Sequence, residues 1–412
     1  MKKYFKYVAL ALVMTPLWGW AQGVTYKQYI QAVAEKNAAY LAEKYNVDIA
    51  TANLQAAKVF NDPELSVDYS NNQDWYMQMG QSLEFGLSYD LDLAGNRRAR
   101  IRAARSEKEV TEASVNAYLC GLRAEASQAW AEAWKLRESC KVMEASVKDM
   151  EQIAQSDSIR LSVGDVGRTD ATQSRLEAQT MRGELMAMQA EYKNALMTLS
   201  FMAGGETITG MLDEELPIQG YQYKEPDIYN LAEANRADLR AAELSQTLSE
   251  NNLKMVKAAR GLDMGLSLGY SYNTEVRNEI APAPKFNGLS IGVSIPLKFS
   301  SMNKGELRAA RNEVLQSQQL YESARQQVHM EVAQAYNSLE AARKVMKQYD
   351  GNMLRDARNI LESRKVGYQS GDSSLLELLT AQQTYNDVMQ AYIEACANCY
   401  VSEVVLQQAI GQ

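Results

Sequence analysis

The stretch from Leu83 to Tyr89 reads LEFGLSY, and the stretch from Leu289 to Ile295 reads LSIGVSI, 206 positions further along the chain. In the longer windows 82–93 and 289–299, apolar residues occupy every second position. A period of two is typical of a β-strand with one apolar and one polar face. The two windows therefore predict two long strands, one in each half of the chain.

Each long strand is preceded by a shorter alternating segment, over residues 65–69 in the first half and 264–272 in the second. A polar loop joins the two segments of each pair, so the sequence predicts four strands in two hairpins.

The length of the long strands is about the 9 to 11 residues that a tilted strand needs to cross a bilayer. Their polar face carries Glu84, Asp90 and Asp92, which suit a water-filled lumen better than a packed core. An ordinary half-buried antiparallel strand alternates in the same way, so that interpretation stays open. If the four strands cross a membrane, several copies must complete one barrel, because open sheet edges are not tolerated in lipid. Three copies supply twelve strands, an even number within the known range.

A very long helix is predicted after each hairpin. The segments Asn96–Ser162 and Asn303–Val366 contain no Pro and are rich in Ala, Glu, Arg and Lys, which favour helix. The first extends about 100 Å at 1.5 Å per residue if it is unbroken. Helices of this length require bundle or coiled-coil packing along a rod.

A short break and a return helix follow each long helix. The breaks read VGDVGRTD at 163–170 and VGYQSGDSS at 366–374. The return helices are predicted over about 167–203 and 373–410. Two further helical segments lead into the strands and are predicted to stack end to end on the return helices; they cover 25–60 and 228–260.

The chain is therefore duplicated. Besides the strand motif, RAAR occurs at 102–105 and again at 308–311, and Gly-Asp occurs at 164–165 and again at 371–372. We divide the mature chain into a first repeat at 22–215 and a second at 216–412. Neither repeat has a core of its own, so the two are predicted to form one integrated domain.

The first 21 residues have the layout of a secretory signal peptide. Lys2, Lys3 and Lys6 precede an apolar stretch, and the small residues Gly19 and Ala21 follow it. This layout predicts export and cleavage of residues 1–21. No later run of 18 or more apolar residues is present, so no membrane-spanning helix is predicted.

Composition excludes several classes of function. The chain has 43 basic and 51 acidic side chains, a formal charge of -8, whereas nucleic-acid binding calls for a basic surface. It has one His, and it contains no GxSxG, no P-loop and no His or Cys cluster with metal-ligand spacing. We therefore predict no enzyme activity, no catalytic residues, no metal site and no cofactor.

The four Cys residues offer no obvious disulfide. Cys120 and Cys140 lie about 30 Å apart on one predicted helix, and Cys396 and Cys399 form a CxxC within another, without the Pro or preceding strand of a redox motif. The pattern favours small buried residues, and their redox state and role stay open.

In each half, a helix, two strands, a long helix, a turn and a return helix follow one another after the signal peptide. This order resembles the TolC-type outer-membrane factor family over essentially the whole mature chain. NRADL at 235–239, after a Pro-containing linker, is part of the resemblance. NDPELSVDY at 61–69 and LDLAGNRR at 91–98 are most similar to members paired with proton-driven pumps of the resistance-nodulation-division (RND) class.

The resemblance implies a mainly α fold with a small β part. Long antiparallel helical hairpins and four transmembrane strands per chain would complete a 12-stranded barrel and a periplasmic helical tunnel as a homotrimer. It implies an outer-membrane exit duct of a tripartite efflux or type I secretion system, which conducts small molecules or ions passively. The implied partners are a periplasmic adaptor, an inner-membrane pump of the RND class and outer-membrane lipids.

Two sets of residues are assigned roles from this resemblance and from the repeat. The helical turns would form a periplasmic tip that is closed at rest, and the acids of this tip would attract cations. For Glu377 a capping box with Ser374 is the alternative, Ser373 departs from the basic residue of some members, and Arg168 is either a partner for acids of the next hairpin or a solvated residue. The tip residues are Gly164, Asp165, Arg168, Asp170, Gly371, Asp372 and Glu377.

Basic residues crowd the strand–helix junction, where the helix dipole disfavours positive charge. We predict that they contact inner-leaflet phosphates as a membrane-interface basic belt, and intersubunit pairing with Asp90 and Asp92 is the alternative. Trp75 and Tyr76 are candidates for the outer interface. The belt residues are Arg97, Arg98, Arg100, Arg102, Lys298, Lys304 and Arg308.

A second class of function stays open. An exported coiled-coil structural or adhesion protein without a pore would also be acidic, long-helical and free of catalytic residues. It would not need strands of membrane-crossing length.

Overall fold

A computed structural model describes residues 23–72, 78–212, 214–218, 220, 225–297, 304–349 and 352–412. The predicted signal peptide, Trp75, Tyr76 and Lys298 lie outside the described residues.

The first half begins with two helices and a β-hairpin and continues into a long helix and its return helix. The elements are α1 (Tyr26–Lys36), α2 (Ala38–Ala57), β1 (Glu64–Asn71), β2 (Gln81–Leu91), α3 (Asn96–Ser162) and α4 (Arg168–Met202).

The second half has the same order. The elements are α5 (Glu225–Asn235), α6 (Ala237–Ala259), β3 (Met264–Asn273), β4 (Phe286–Ser294), α7 (Lys304–Tyr349), α8 (Asn352–Ser370) and α9 (Leu375–Ala409). The predicted mainly α fold with a small β part is confirmed. Within the described part of the chain, no helix is both long and apolar enough to cross a membrane.

The two hairpins join into one antiparallel sheet with the order β1-β2-β3-β4. Strand β2 pairs with β3 so that Gly86 lies opposite Gly269 and Leu87 opposite Leu268. Apolar residues of neighbouring strands therefore share one face, and small or polar residues share the other.

The second long strand ends earlier than the predicted window 289–299, and Phe299 itself lies outside the described residues. Strand β4 ends at Ser294, and residues 295–297 are not in a strand. Pro296 has no N–H to donate to a ladder, which accounts for an early end. The first long strand ends at Leu91, two residues before the predicted Leu93.

Helix α3 has the predicted bounds and is 67 residues long. The second long helix, predicted over 303–366, is described as α7 and α8 on either side of residues 350–351, which the structure does not describe.

The chain divides into two compact units. The first consists of residues up to Leu41, Leu119–Lys224 and Val332–Ala409, and the second consists of Ala42–Tyr118, Glu225–Glu331 and Ile410–Gln412. The first unit contains two apolar clusters. One is centred on Tyr29 and Trp130, whose rings stack at 5.4 Å, and the other includes Met150 and Leu378.

Each half of the chain has a break between two shorter helices, and each break has a close contact within its own unit. In the first unit, the buried Asn37 separates α1 from α2 and donates from Nδ2 to the carbonyl oxygen of Met202 at the end of α4 (3.0 Å). In the second unit, Gly411 packs against Asn235 at the break between α5 and α6.

Candidate functional sites at the helical turns and the strand–helix junction

Both tight turns use a glycine in the left-handed region. Gly164 has φ 83° and Gly371 has φ 85°, which an L side chain rarely adopts. The amides that follow turn back into the helix, from Asp165 to the Arg160 carbonyl (2.9 Å) and from Asp372 to the Gly367 carbonyl (2.7 Å). The two predicted turn glycines therefore have the predicted conformation.

The two aspartates that match across the repeat have different partners. Asp165 accepts a hydrogen bond from Arg160 Nε at 2.6 Å, and this bond raises the pKa of the guanidinium. Asp372 instead accepts from the Ser370 hydroxyl at 2.9 Å. Only the first turn therefore contains an ion pair between its aspartate and the preceding helix.

Glu377 forms the capping box that was the alternative to a gate role. Its Oε2 accepts from the Ser374 backbone N–H at 3.0 Å, and its own N–H donates to the Ser374 hydroxyl at 3.3 Å. It also lies 3.6 Å from Arg364, whose guanidinium reaches the Ser373 hydroxyl at 3.5 Å. The carboxylate that resembles a gate acid is thus already engaged within its own turn.

Asp170 and Arg168 differ from Glu377. Both are exposed in the first turn of α4, and neither makes a hydrogen bond or ion pair to another part of the described chain. Their charges are therefore available to solvent or to another molecule.

The structure adds a contact between the ends of α3 and α8 that sequence reasoning missed. The Tyr368 hydroxyl donates to Oδ2 of Asp157 at 2.9 Å, and Asp157 is fully buried. Burial raises the pKa of Tyr368, and the hydrogen bond to Asp157 raises it further. Arg160 also donates to the Tyr368 carbonyl oxygen (3.4 Å).

A second link between the same helices is the ion pair of Lys365 with Asp149 at 2.9 Å.

Comparison of the two repeats marks Tyr368 as a position where they differ. At the offset of 207 that relates the two turns, Tyr368 corresponds to Leu161, so an aromatic hydroxyl stands where the first half has an aliphatic side chain.

At the junction of β2 and α3, Asp92 caps the long helix. Its two carboxylate oxygens accept from the backbone N–H groups of Asn96 and Arg97, both at 2.7 Å. A negative side chain at a helix start offsets the unfavourable basic residues that follow. Both carboxylate oxygens of Asp92 therefore have hydrogen-bond donors within the same chain.

Two of the predicted belt arginines bind the end of α2. Arg97 donates from Nε and Nη2 to the Lys58 carbonyl oxygen, at 2.9 and 2.6 Å, and its guanidinium lies 3.9 Å from the centre of the Phe60 ring. Arg100 donates to the carbonyl oxygens of Ala57 (3.3 Å) and Val59 (3.1 Å). Carbonyls at a helix C-terminus lack intrahelical partners and carry partial negative charge, so these two cations compensate them.

The other described belt residues have no such contact. Arg98, Arg102, Lys304 and Arg308 are exposed, and none of them makes a hydrogen bond or ion pair to the described part of the chain. The described residues of the predicted belt thus form two groups. One group donates hydrogen bonds to carbonyl oxygens of the same chain, and the other is exposed and available to a partner.

The four-stranded sheet has an exposed apolar face and a polar face of small residues. Leu65 and Ile291 are 69% and 80% exposed. On the polar face, each glycine lies opposite a serine whose hydroxyl would clash with an added Cβ; the pairs are Gly86 with Ser66, Gly265 with Ser294, Gly269 with Ser290, Gly288 with Ser271, and Gly292 with Ser267. Such an exposed apolar face marks a contact with a membrane or with another protein.

Within the described residues, no group of three or more His, Cys, Asp or Glu side chains is arranged to hold a metal ion. All four cysteines are free thiols. Burial raises the pKa of the Cys399 thiol, which lowers its reactivity.

The model of the outer membrane efflux protein family matches residues 29–205 and 228–412, which cover both halves of the chain. The chain belongs to the outer membrane efflux protein family.

Curated relatives have low sequence identity to this chain but align with most of it. The cobalt-zinc-cadmium resistance protein CzcC of Cupriavidus metallidurans is 22% identical over 396 residues, which cover 94% of this chain and 90% of the relative. The outer membrane protein TolC of Escherichia coli is 22% identical over 286 residues, which cover 65% of this chain and 56% of the relative.

Solved structures show the same fold. The chain superimposes on CusC with a TM-score of 0.77 at 20% identity, over 93% of this chain and 91% of CusC. It superimposes on the outer-membrane channel OprN with a TM-score of 0.76 at 18% identity, over 93% of this chain and 89% of OprN.

Family and fold confirm the predicted efflux function and the outer-membrane location. The protein is an outer-membrane channel of the kind that serves tripartite efflux systems. The family consists of channels rather than enzymes, and this favours the duct over a coiled-coil protein without a pore.

Proposed function

We propose that three copies of this chain form the exit duct of a tripartite export system with a periplasmic adaptor and an inner-membrane pump of the RND class. The observation that carries the proposal is the family match across both halves of the chain. The sheet supports the trimer, because four strands with two open edges and an exposed apolar face need further strands before they can sit in lipid. Three copies give twelve strands.

We also propose that the two repeats, 22–215 and 216–412, act as one integrated domain. Support comes from the pairing of β2 with β3, since the sheet contains one hairpin from each half. Neither half alone can complete this sheet.

The proposed substrate class is divalent metal ions. Support comes from CzcC, a cobalt-zinc-cadmium resistance protein that aligns over 94% of this chain. A water-filled duct selects by charge and width rather than by a pocket, so the pump would choose the substrate and the duct would only have to admit it.

The test is export by cells that lack the chain, compared with the same cells carrying it on a plasmid. Restored tolerance to cobalt, zinc or cadmium supports both the duct and its proposed substrate class. Restored tolerance to organic toxicants alone would retain the duct and reject the metals. An unchanged tolerance to both groups of compounds would contradict the proposed export function.

We propose that the tip residues control entry into the duct, with Asp170 as the principal acid. Asp170 is exposed without an ion pair, whereas Glu377 is engaged in its capping box and Asp165 in its pair with Arg160. The links from Tyr368 to Asp157 and from Lys365 to Asp149 join α8 to α3 close to the turns. They would hold the two hairpins together in the resting state.

Single-channel recording tests this division of roles. Asp170→Asn should reduce the preference for cations over anions, and Tyr368→Phe should raise the frequency of opening. If Asp170→Asn leaves the reversal potential in a salt gradient unchanged, Asp170 does not act on passing ions.

A further inference from the structure

The unpaired cations at the strand–helix junction form one line on each long helix. On α3 these cations are Arg98, Arg102 and Arg105, and on α7 they are Lys304, Arg308 and Arg311. In both cases the spacing is i, i+4, i+7, which places three side chains on one helix face. We call them the first and second basic stripes.

The two stripes correspond position by position. Each residue of the first stripe has its counterpart 206 positions later, the same offset that relates the long strands. All six side chains belong to exposed residues, and none makes a hydrogen bond or ion pair to the described chain. By contrast, Arg97 and Arg100, on another side of α3, donate hydrogen bonds to carbonyl oxygens at the end of α2.

The stripes are confined to the part of each helix that follows the sheet. The first stripe begins seven residues after the end of β2 and spans about 10 Å of helix, a length comparable to a lipid headgroup layer. Further along the same helix line the charge changes sign, at Glu109 and Glu112, both exposed. On α7 the line continues with Leu315, which is 60% exposed.

We infer that the two basic stripes are a binding surface for the phosphates of outer-membrane lipids. The location of the family supplies the membrane, and the exposed apolar sheet face stands next to the stripes along the chain. Six cations that pair with no group in the described residues are complementary to anionic headgroups, and long Arg and Lys side chains extend toward an interface while their aliphatic parts remain on the protein. The surface sets how deep the sheet sits in the bilayer.

The inference narrows the predicted belt. The stripes leave out Arg97 and Arg100, and also Lys298, which lies outside the described residues, and they add Arg105 and Arg311. The lipid contact does not rest on export, since it requires neither pump nor adaptor. A negative result in the export test would therefore not contradict the inferred lipid contact.

The experiment uses the purified full-length protein in a neutral detergent, with phosphatidylglycerol as the probe. Because a ligand that binds only the folded state stabilises it, the melting temperature of the wild type should rise by several degrees on adding lipid. The variant Arg98→Gln/Arg102→Gln/Arg105→Gln should lose about half of that rise. Adding Lys304→Gln/Arg308→Gln/Arg311→Gln should remove the rest.

A matched control removes three exposed cations elsewhere, as Arg123→Gln/Arg175→Gln/Lys193→Gln, and should keep the full lipid effect. The charge-preserving variant Arg98→Lys/Arg102→Lys/Arg105→Lys should also keep most of it, and it serves if the Gln variant fails to fold.

Three results would overturn the inference. The stripe variants could retain the full lipid effect, or inorganic phosphate could give the same rise and so reveal a site for free anions. Loss of the assembled form before lipid is added, with the control intact, would instead assign the stripes to contacts between subunits, for example with Asp90.

Discussion

In the second half of the duplicated chain, the Tyr368 side chain makes a hydrogen bond to helix α3. Its hydroxyl is the hydrogen-bond donor that the structure describes for Oδ2 of Asp157, a fully buried carboxylate. A buried polar group that loses its partner costs about 1 to 3 kcal/mol. The contact was invisible to pattern reasoning, because a lone Tyr near a turn and an Asp on a distant helix carry no shared motif.

We predict that Tyr368→Phe lowers the free energy of unfolding by about 1 to 3 kcal/mol. Tyr385→Phe is the matched control, since Tyr385 packs against the same apolar cluster and its hydroxyl has no hydrogen bond to the described chain. Denaturant unfolding of both variants provides the measurement. Equal losses in the two would show that the Asp157 contact contributes nothing specific.

Glu233 gives a prediction about pH. His329 Nε2 lies 2.7 Å from its Oε1, Arg325 Nε donates to the same oxygen at 2.8 Å, and together they lower its pKa below the usual 4.5. A lowered pKa in the folded state means stability that is fully present above about pH 4.5 and is lost as the pH falls through the lower value.

The difference in melting temperature between wild type and Glu233→Gln should therefore be fully present near pH 5 and should shrink below about pH 4. A difference that grows on acidification would contradict the sign of this linkage. Because these side chains are partly exposed, high salt should reduce the difference as well.

The ends of the return helices could be placed from sequence only approximately. The repeated Gly-Asp pairs at 164–165 and 371–372 located both turns, and the Pro-free stretch gave α3 its bounds. The break at Asn37 was not foreseen. Its Oδ1 accepts locally from the Tyr40 N–H, but its Nδ2 donates to the Met202 carbonyl oxygen, 165 residues away. The partners of Arg97 and Arg100 were missed for the same reason.

Gly204 tests the contact at the end of α4. It has φ 82°, and an added Cβ would clash with the Lys36 carbonyl, whereas Gly205 has φ 84° and open space around it. Gly205→Ala should cost about 1 to 2 kcal/mol from backbone strain alone. Gly204→Ala should cost clearly more, as measured by thermal unfolding, and equal costs would mean that the end of α4 is not held against the break.

The arginine contacts at the end of α2 make a comparable prediction. Arg97→Ala/Arg100→Ala leaves the carbonyls of Ala57, Lys58 and Val59 without these donors and should lower the free energy of unfolding by about 1 to 3 kcal/mol. Arg102→Ala, which removes a cation that has no hydrogen bond or ion pair within the described chain, should change it by less than about 0.5 kcal/mol in detergent without added lipid. Denaturant unfolding compares the two, and similar values would reject the specific role of Arg97 and Arg100.

For the assembled protein, the sequence indicates most clearly that one chain cannot close its four-stranded sheet alone. Four strands with an apolar face were readable from the alternation around Leu87 and Ile291, because one buried or lipid-facing side imposes a period of two. The number of copies was not readable, since it depends on how the edges of β1 and β4 find partners. It follows from the family resemblance and from the need to close the sheet in lipid.

The most direct test of the proposed trimeric duct is the native mass of the protein extracted from the outer membrane in mild detergent, before and after boiling. We predict a heat-sensitive species of three chains that dissociates to one chain on boiling. A single chain or a pair of chains in the soluble periplasmic fraction would contradict the shared barrel, and with it the exit duct.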